Sequence, residues 1–239
     1  FGSIRPRGIA VRNMQTALTR RQALIGATVG LLATRWPRLA GAQAAAGAPA
    51  LTDLGPDLVL VAGAGANVVA LASAEGLLLV DGGSEGRAAA LQSALAQRWP
   101  GQPVKIAFNT NWRAEHTGAN AALRGAGATV MAHENTKLWL GGDFFVDWED
   151  RHYAPHPAAM LPNQTFYTSG KVDFGGRNVE YWHLPRAHTD GDVAVFVPDA
   201  NVLVASDLLS AGRYPKPDYA TGGWIGGLIG ATEKVLDST

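Results

Sequence analysis

The run Asn109-Thr110-Asn111-Trp112-Arg113-Ala114-Glu115-His116-Thr117-Gly118 sets an amide, a guanidinium, a carboxylate and an imidazole within six residues of one another. Two more polar clusters follow, His188-Thr189-Asp190-Gly191-Asp192 and Ser206-Asp207-Leu208. Imidazole and carboxylate are the ligands of a borderline divalent cation. Such an ion lowers the pKa of a bound water to about 7 and supplies hydroxide for attack on a carbonyl. The chain has no cysteine. Thiolate ligands, disulfides and a thiol nucleophile are therefore excluded, and imidazole and carboxylate must hold any metal.

The polar clusters lie among short apolar, β-rich runs bounded by Gly, Pro and Asn: Leu58 to Val61, Asn67 to Leu71, Leu77 to Val80, Lys105 to Phe108, Thr129 to Met131, Val193 to Val197 and Val202 to Val204. Their length and boundaries predict strands. Helical spacing runs from Arg87 to Arg98, a short helix is expected over Thr117 to Arg124, and another near the end at Ala231 to Leu236. Strands interleaved with helices make an α/β protein, and Pro198-Asp199-Ala200-Asn201 predicts a hairpin, so part of the sheet is antiparallel. From Ala45 to Thr239 the chain is long enough for one domain with a large core.

Taken in order, these segments resemble the metallo-β-lactamase superfamily. Leu78-Leu79-Val80-Asp81-Gly82-Gly83 is similar to the strand and turn before its metal loop, and Asn109 to Gly118 to the loop itself, which in the family reads His-x-His-x-Asp-His ahead of Thr-Gly. His188 to Asp192 resembles its second histidine motif, and Ser206-Asp207-Leu208 the segment with the metal-bridging aspartate. The likeness runs from about Leu58 to the end. It implies an αββα sandwich, two mixed β-sheets face to face and flanked by helices, with the metal site in loops at one edge.

Alignment puts Asn111, Arg113, Glu115 and His116 on the loop's four ligand positions, and only His116 is unchanged. The first metal would take positions 111, 113 and 188; asparagine is a weak donor and arginine has no lone pair. That site is expected to be absent, with Arg113 supplying positive charge in its place. The second would take Glu115, His116 and Asp207, and with His188 these are the expected ligands of one divalent metal: zinc first, iron(II) or manganese(II) also suiting. The implied activity is hydrolysis of an ester, lactone, amide or thioester, a β-lactam included. Glu115, Arg113 and Asn111 are the expected catalytic residues, the last two steadying an oxyanion. Two alternatives remain: a metal-free protein binding a small anion through Arg113, and a mononuclear iron redox enzyme.

Structural roles compete at each position. His116 can brace its loop through both ring nitrogens, Asp207 can bind backbone amides, His188 can pair with Glu115 or Asp207, and Arg113 can form an ion pair with Glu115 or Asp207. Asp81 matches a residue that braces the metal loop from behind. Of the other histidines, His133 is expected to cap or pack after a strand, and His183, His152 and His156 match no ligand position. Asp143 to Pro162, with Trp148 and Tyr153, has no periodicity and reads either as a wall over the site or as a surface excursion. Gly222-Gly223-Trp224-Ile225-Gly226-Gly227 lacks the strand and spacing of a nucleotide loop and reads as a turn allowing close packing of a helix on the sheet. Asp218, Tyr219 and Trp224 are candidates for the cleft wall.

Residues 1–44 read as a leader: Arg20-Arg21, an apolar run from Ala23 to Ala33, and Ala42-Gln43-Ala44 as a cleavage pattern, with translation starting at Met14. The twin-arginine machinery is the expected export partner and the periplasm or exterior the expected location. The apolar run is far short of the roughly 20 residues of a membrane span. Lys plus Arg and Asp plus Glu number 20 each, so no global charge favours nucleic acid or an anionic membrane. A small-molecule substrate suits the chain better. No histidine follows Asp207 to fill the family's last ligand position, and the domain is expected to lack its C-terminal strand and helix.

Overall fold

The computed structural model describes residues 47–210 and 214–238; the expected leader lies outside them. Seven strands form the first sheet in the order β1-β2-β3-β4-β5-β6-β9: Ala50–Gly55, Leu58–Ala62, Val68–Ser73, Gly76–Val80, Val104–Asn109, Thr129–His133 and Gln164–Phe166. Strands β1 to β4 are joined antiparallel, whereas β4, β5, β6 and β9 run parallel. The second sheet is β10-β11-β12-β13, Ser169–Phe174, Arg177–His183, Val193–Val197 and Val202–Val204. Its described strands are all antiparallel, so it is not mixed as expected; each strand here returns directly beside its predecessor.

The apolar runs explain the layers. Along β4, Leu77 and Leu79 face one core and Leu78 and Val80 the opposite one, as a pleated strand buried on both faces requires. The first core lies under α1, Ala88–Arg98, which contributes Leu91 and Leu95, and α3, Asn120–Gly125, which contributes Leu123. The second fills the space between the sheets, where Leu58, Leu71 and Phe108 meet Phe174, Val179 and Val195. A third joins the outer face of the second sheet to α5, Ile225–Ser238, through Leu184, Ala194, Leu228, Ala231 and Val235. Helix, sheet, sheet and helix thus stack as the αββα sandwich.

The helix expected over Thr117 to Arg124 is broken into α2, Ala114–Thr117, and α3. Gly118 explains the break. Its N–H donates to Gly83 O at 2.9 Å, and the His116 carbonyl accepts from Gly82 N at 2.7 Å, so this backbone bonds to the turn after β4. A Cβ at position 118 would stand 2.0 Å from Glu85 N. Residues Asp143 to Pro162, expected to be irregular, contain a hairpin of β7, Phe144–Val146, and β8, Arg151–Tyr153, with a 3-10 turn over Asp147–Glu149. Helix α4, Glu134–Gly141, precedes it. No described helix is long and apolar enough to cross a membrane.

Candidate metal centre

Four strand ends deliver the candidate residues: Asp81 follows β4, the loop Thr110–Arg113 follows β5, His188 lies between β11 and β12, and Asp207 follows β13. Asp81 adopts φ +70° and Ser206 φ +49°, left-handed conformations that cost energy outside glycine and mark backbone held by its surroundings. Asp81 Oδ1 accepts from Thr110 N at 2.8 Å, and its Oδ2 stands 2.9 Å from His116 Nδ1. The expected brace of the loop is therefore in place.

His116 Nε2 stands 2.9 Å from Asp207 Oδ2. The same oxygen accepts from Asn111 Nδ2 at 2.9 Å and has His188 Nε2 at 3.7 Å. His188 turns its other nitrogen outward, Nδ1 donating to Lys216 O at 2.5 Å. His116, His188 and Asp207 are thus brought together, with Asn111 against them. Glu115 is not: it is exposed on α2, and among the described residues no hydrogen bond or ion pair reaches its carboxylate.

Burial opposes a charged His116 ring, but Asp81 and then Asp207 outweigh it and hold the imidazole protonated well above its ordinary range. Burial likewise works against the Asp207 carboxylate, and the positive charge of His116 holds it far below the usual carboxylate range. Asp192, buried behind the site against Thr189 and Ser206, is pushed up to about 6 by desolvation, with His188 working the other way.

Arg113 points elsewhere. Its Nη1 donates to Glu149 Oε1 at 2.6 Å and Tyr153 Oη at 3.3 Å, and its Nη2 to Asp218 Oδ2 at 2.9 Å. The guanidinium also lies over the rings of Trp112 and Trp148, 4.7 and 5.6 Å from their centroids. The pairings expected with Glu115 or Asp207 are replaced by Glu149, from the β7-β8 turn, and Asp218. Sequence reasoning passed over Glu149, and placed Asp218 only as a wall; nothing local marks either as a partner of a residue so distant in the chain. Tyr219 and Trp224 are exposed.

A family model described as the metallo-beta-lactamase superfamily matches residues 62–238. The chain belongs to this superfamily. No curated protein matches it. Among solved structures it is similar to a metallo-beta-lactamase from Pontibacter korlensis, with 18% identity, TM-score 0.61, and coverage of 80% of this chain and 86% of that one. It is also similar to DIM-1 metallo-beta-lactamase at 13% identity and TM-score 0.62, covering 80% and 85%. A Cronobacter sakazakii metallo-beta-lactamase described by a HARLDQ motif has 18% identity and TM-score 0.61, with 78% and 73% covered. Identities this low establish the shared fold.

Divalent metals are typical of the superfamily, and the donors here decide what this member can hold. The first superfamily site does not fit. Arg113 offers no lone pair and both terminal nitrogens are in ion pairs, while Asn111 Oδ1 accepts from Arg113 N at 2.8 Å. The remaining donors fit one divalent cation by their chemistry: two imidazoles anchored through Nδ1, with Nε2 directed at one carboxylate. As placed, these side chains close on each other through Asp207 Oδ2, and among the described residues no three His, Asp or Glu stand at coordination spacing.

Proposed function

We propose that this superfamily member is a hydrolase of small carbonyl substrates that holds one divalent cation on His116, His188 and Asp207. The observation that carries the reading is the direction of the two rings: each commits Nδ1 to an outer acceptor, Asp81 Oδ2 or Lys216 O, and aims Nε2 at Asp207 Oδ2. Metal-ligating histidines are held in this way. Two imidazoles and a carboxylate suit zinc or iron(II). When bound, such an ion supplies a Lewis acid and an acidic water.

The chain's own residues orient that set. Asp81 fixes the ring of His116, and Asn111 Nδ2 and Ser206 hold the Asp207 loop against the loop after β5. His116 contributes its Nε2 lone pair only after releasing its ring proton, so cation uptake releases a proton. Glu115 stands outside the ligand set, and Asn111 and Arg113 act in this reading by holding the loops. The metal-free alternative needs a guanidinium with charge to spare, and Glu149 and Asp218 already neutralise Arg113.

The substrate class is an ester, lactone, amide or thioester. The metallo-beta-lactamases among the structural neighbours put a β-lactam in the first screen. Arg20-Arg21 and the apolar run after it support export by the twin-arginine route to the periplasm or beyond.

The test is zinc and iron content of the full chain purified without chelator, followed by a screen of those carbonyl classes with the metal-loaded protein. Turnover that disappears in His188→Ala and Asp207→Ala supports the reading. Full metal loading with no turnover in any of the four classes removes the hydrolase, and oxygen consumption by an iron-loaded form would replace it with redox chemistry.

A further inference from the structure

The glycine-rich run after Asp218 lies along the second histidine loop. Asp218 N donates to His188 O at 2.7 Å, Asp190 N to Thr221 O at 2.9 Å, and Trp224 N to Ala187 O at 3.2 Å. Lys216 O takes the His188 Nδ1 hydrogen bond. The approach is so close that a Cβ on Gly223 would stand 1.9 Å from His188 O. Glycine at 223 thus serves contact with a ligand loop, and Gly227, inside α5, packs as closely on the same loop, where a Cβ would stand 1.8 Å from Arg186 O.

The same segment grips the loop after β5. Asp218 Oδ2 accepts from Arg113 Nη2 at 2.9 Å and from Thr221 Oγ1 at 2.6 Å, and Thr221 Oγ1 accepts from Trp112 Nε1 at 3.1 Å. The Asp218 side chain is wholly buried, a position a carboxylate tolerates only when paired and hydrogen-bonded. One residue therefore joins two loops by separate groups. Its carboxylate holds the loop that carries His116, and its N–H holds the backbone of His188.

We infer that Asp218 is the positioning residue of the centre, setting the direction of His188 Nε2 by tying the Lys216–Gly223 segment to Arg113 and Trp112. The inference rests on His188 belonging to the cation site. Without the carboxylate, Arg113 loses one of its two anions and Thr221 its acceptor. The segment then keeps only the Trp112 Nε1 to Thr221 Oγ1 bond on the loop after β5, and the Lys216 carbonyl is held less firmly as the partner of His188.

The test uses Asp218→Asn in the full chain, with two readouts. Histidine side-chain ¹H–¹⁵N spectra report the His188 tautomer and its Nδ1–H bond without any metal. Titration with cobalt(II), and with zinc(II) against a competing chelator, reports affinity. In the native chain His188 is expected as the Nδ1–H tautomer. In Asp218→Asn its signals are expected to shift while those of His133 stay, with affinity weakened about 10–100-fold.

Thr221→Val removes the Trp112 link without touching charge and is expected to act in the same direction; it carries the test if Asp218→Asn does not fold. Unchanged His188 signals in a folded variant overturn the inference even if the native chain binds metal. Shifted His188 signals in a chain that binds neither cobalt nor zinc uphold the positioning role and remove the metal reading instead.

Discussion

Asp81 Oδ2 stands 2.9 Å from His116 Nδ1, and the opposite nitrogen of that ring stands 2.9 Å from Asp207 Oδ2. One imidazole is therefore spanned by two carboxylates from strand ends far apart in the chain, and its aim depends on the rear one. Asp81→Asn is expected to weaken cobalt(II) binding about 10–100-fold. It should also destabilise the fold by about 1–3 kcal/mol, since Thr110 N and Oγ1 lose a charged acceptor. Cobalt titration and urea unfolding check the two effects.

Arg113 is nearly enclosed, with side-chain exposure of 10% against 0% for Asp218. Burial opposes its charge, but Asp218 and Glu149 raise its pKa further. Arg113→Ala leaves two carboxylates unpaired, and removal of one partner from a buried pair costs about 3–5 kcal/mol. Urea unfolding should show a loss of this order, and hydrogen exchange should rise across the β7-β8 hairpin, whose Glu149 and Tyr153 lose their shared donor.

How far the sequence foretold this arrangement differs between elements. The strands of the first sheet with continuous apolar runs were legible because both faces are buried. Strands β10 and β11 were not, since Ser169, Lys171 and Asp173 with Asn178 and Glu180 place polar residues on an outer face. Their Gly175-Gly176 turn, at φ +61° and +81°, is a hairpin signal that was passed over. Helix α4 was not foreseen although its cap was: His133, expected to cap or pack after a strand, accepts at Nδ1 from Asn135 N at 3.2 Å. In the site, ordered motifs pointed to His116, His188 and Asp207. They could not show that Glu115 faces solvent, because aspartate and glutamate share one chemistry and differ in reach.

Gly118 lies on the part of the motif that the sequence marks only as a helix start. Gly118→Ala is expected to push α2 away from the turn after β4, destabilising by about 1–3 kcal/mol as overpacking does. A Cβ there meets backbone at Glu85, Ser84 and Gly83, which has no rotamer to yield. Comparison with Gly125→Ala, where a Cβ meets nothing within 4 Å, checks this by thermal unfolding.

His133 stacks on His183 with centroids 3.8 Å apart and an interplanar angle of 13°. Burial, and then the neighbouring ring of His183, lower the His133 pKa from 6.5 to about 4. The unfolded chain therefore binds a proton at this residue that the folded chain refuses. Its contribution to stability is present above pH 6.5 and is lost as pH falls toward about 4. His133→Asn keeps a cap acceptor for Asn135 N and should flatten this window relative to the native chain in urea midpoints measured at each pH.

The most direct measurement is metal stoichiometry by elemental analysis of the native chain beside His116→Ala, His188→Ala, Asp207→Ala and Glu115→Gln, all purified without chelator. One equivalent is expected in the native chain and in Glu115→Gln, falling to background in the other three. Background metal in the native chain after exposure to excess zinc and iron(II), or loss in Glu115→Gln equal to that in His188→Ala, would contradict a centre built on His116, His188 and Asp207.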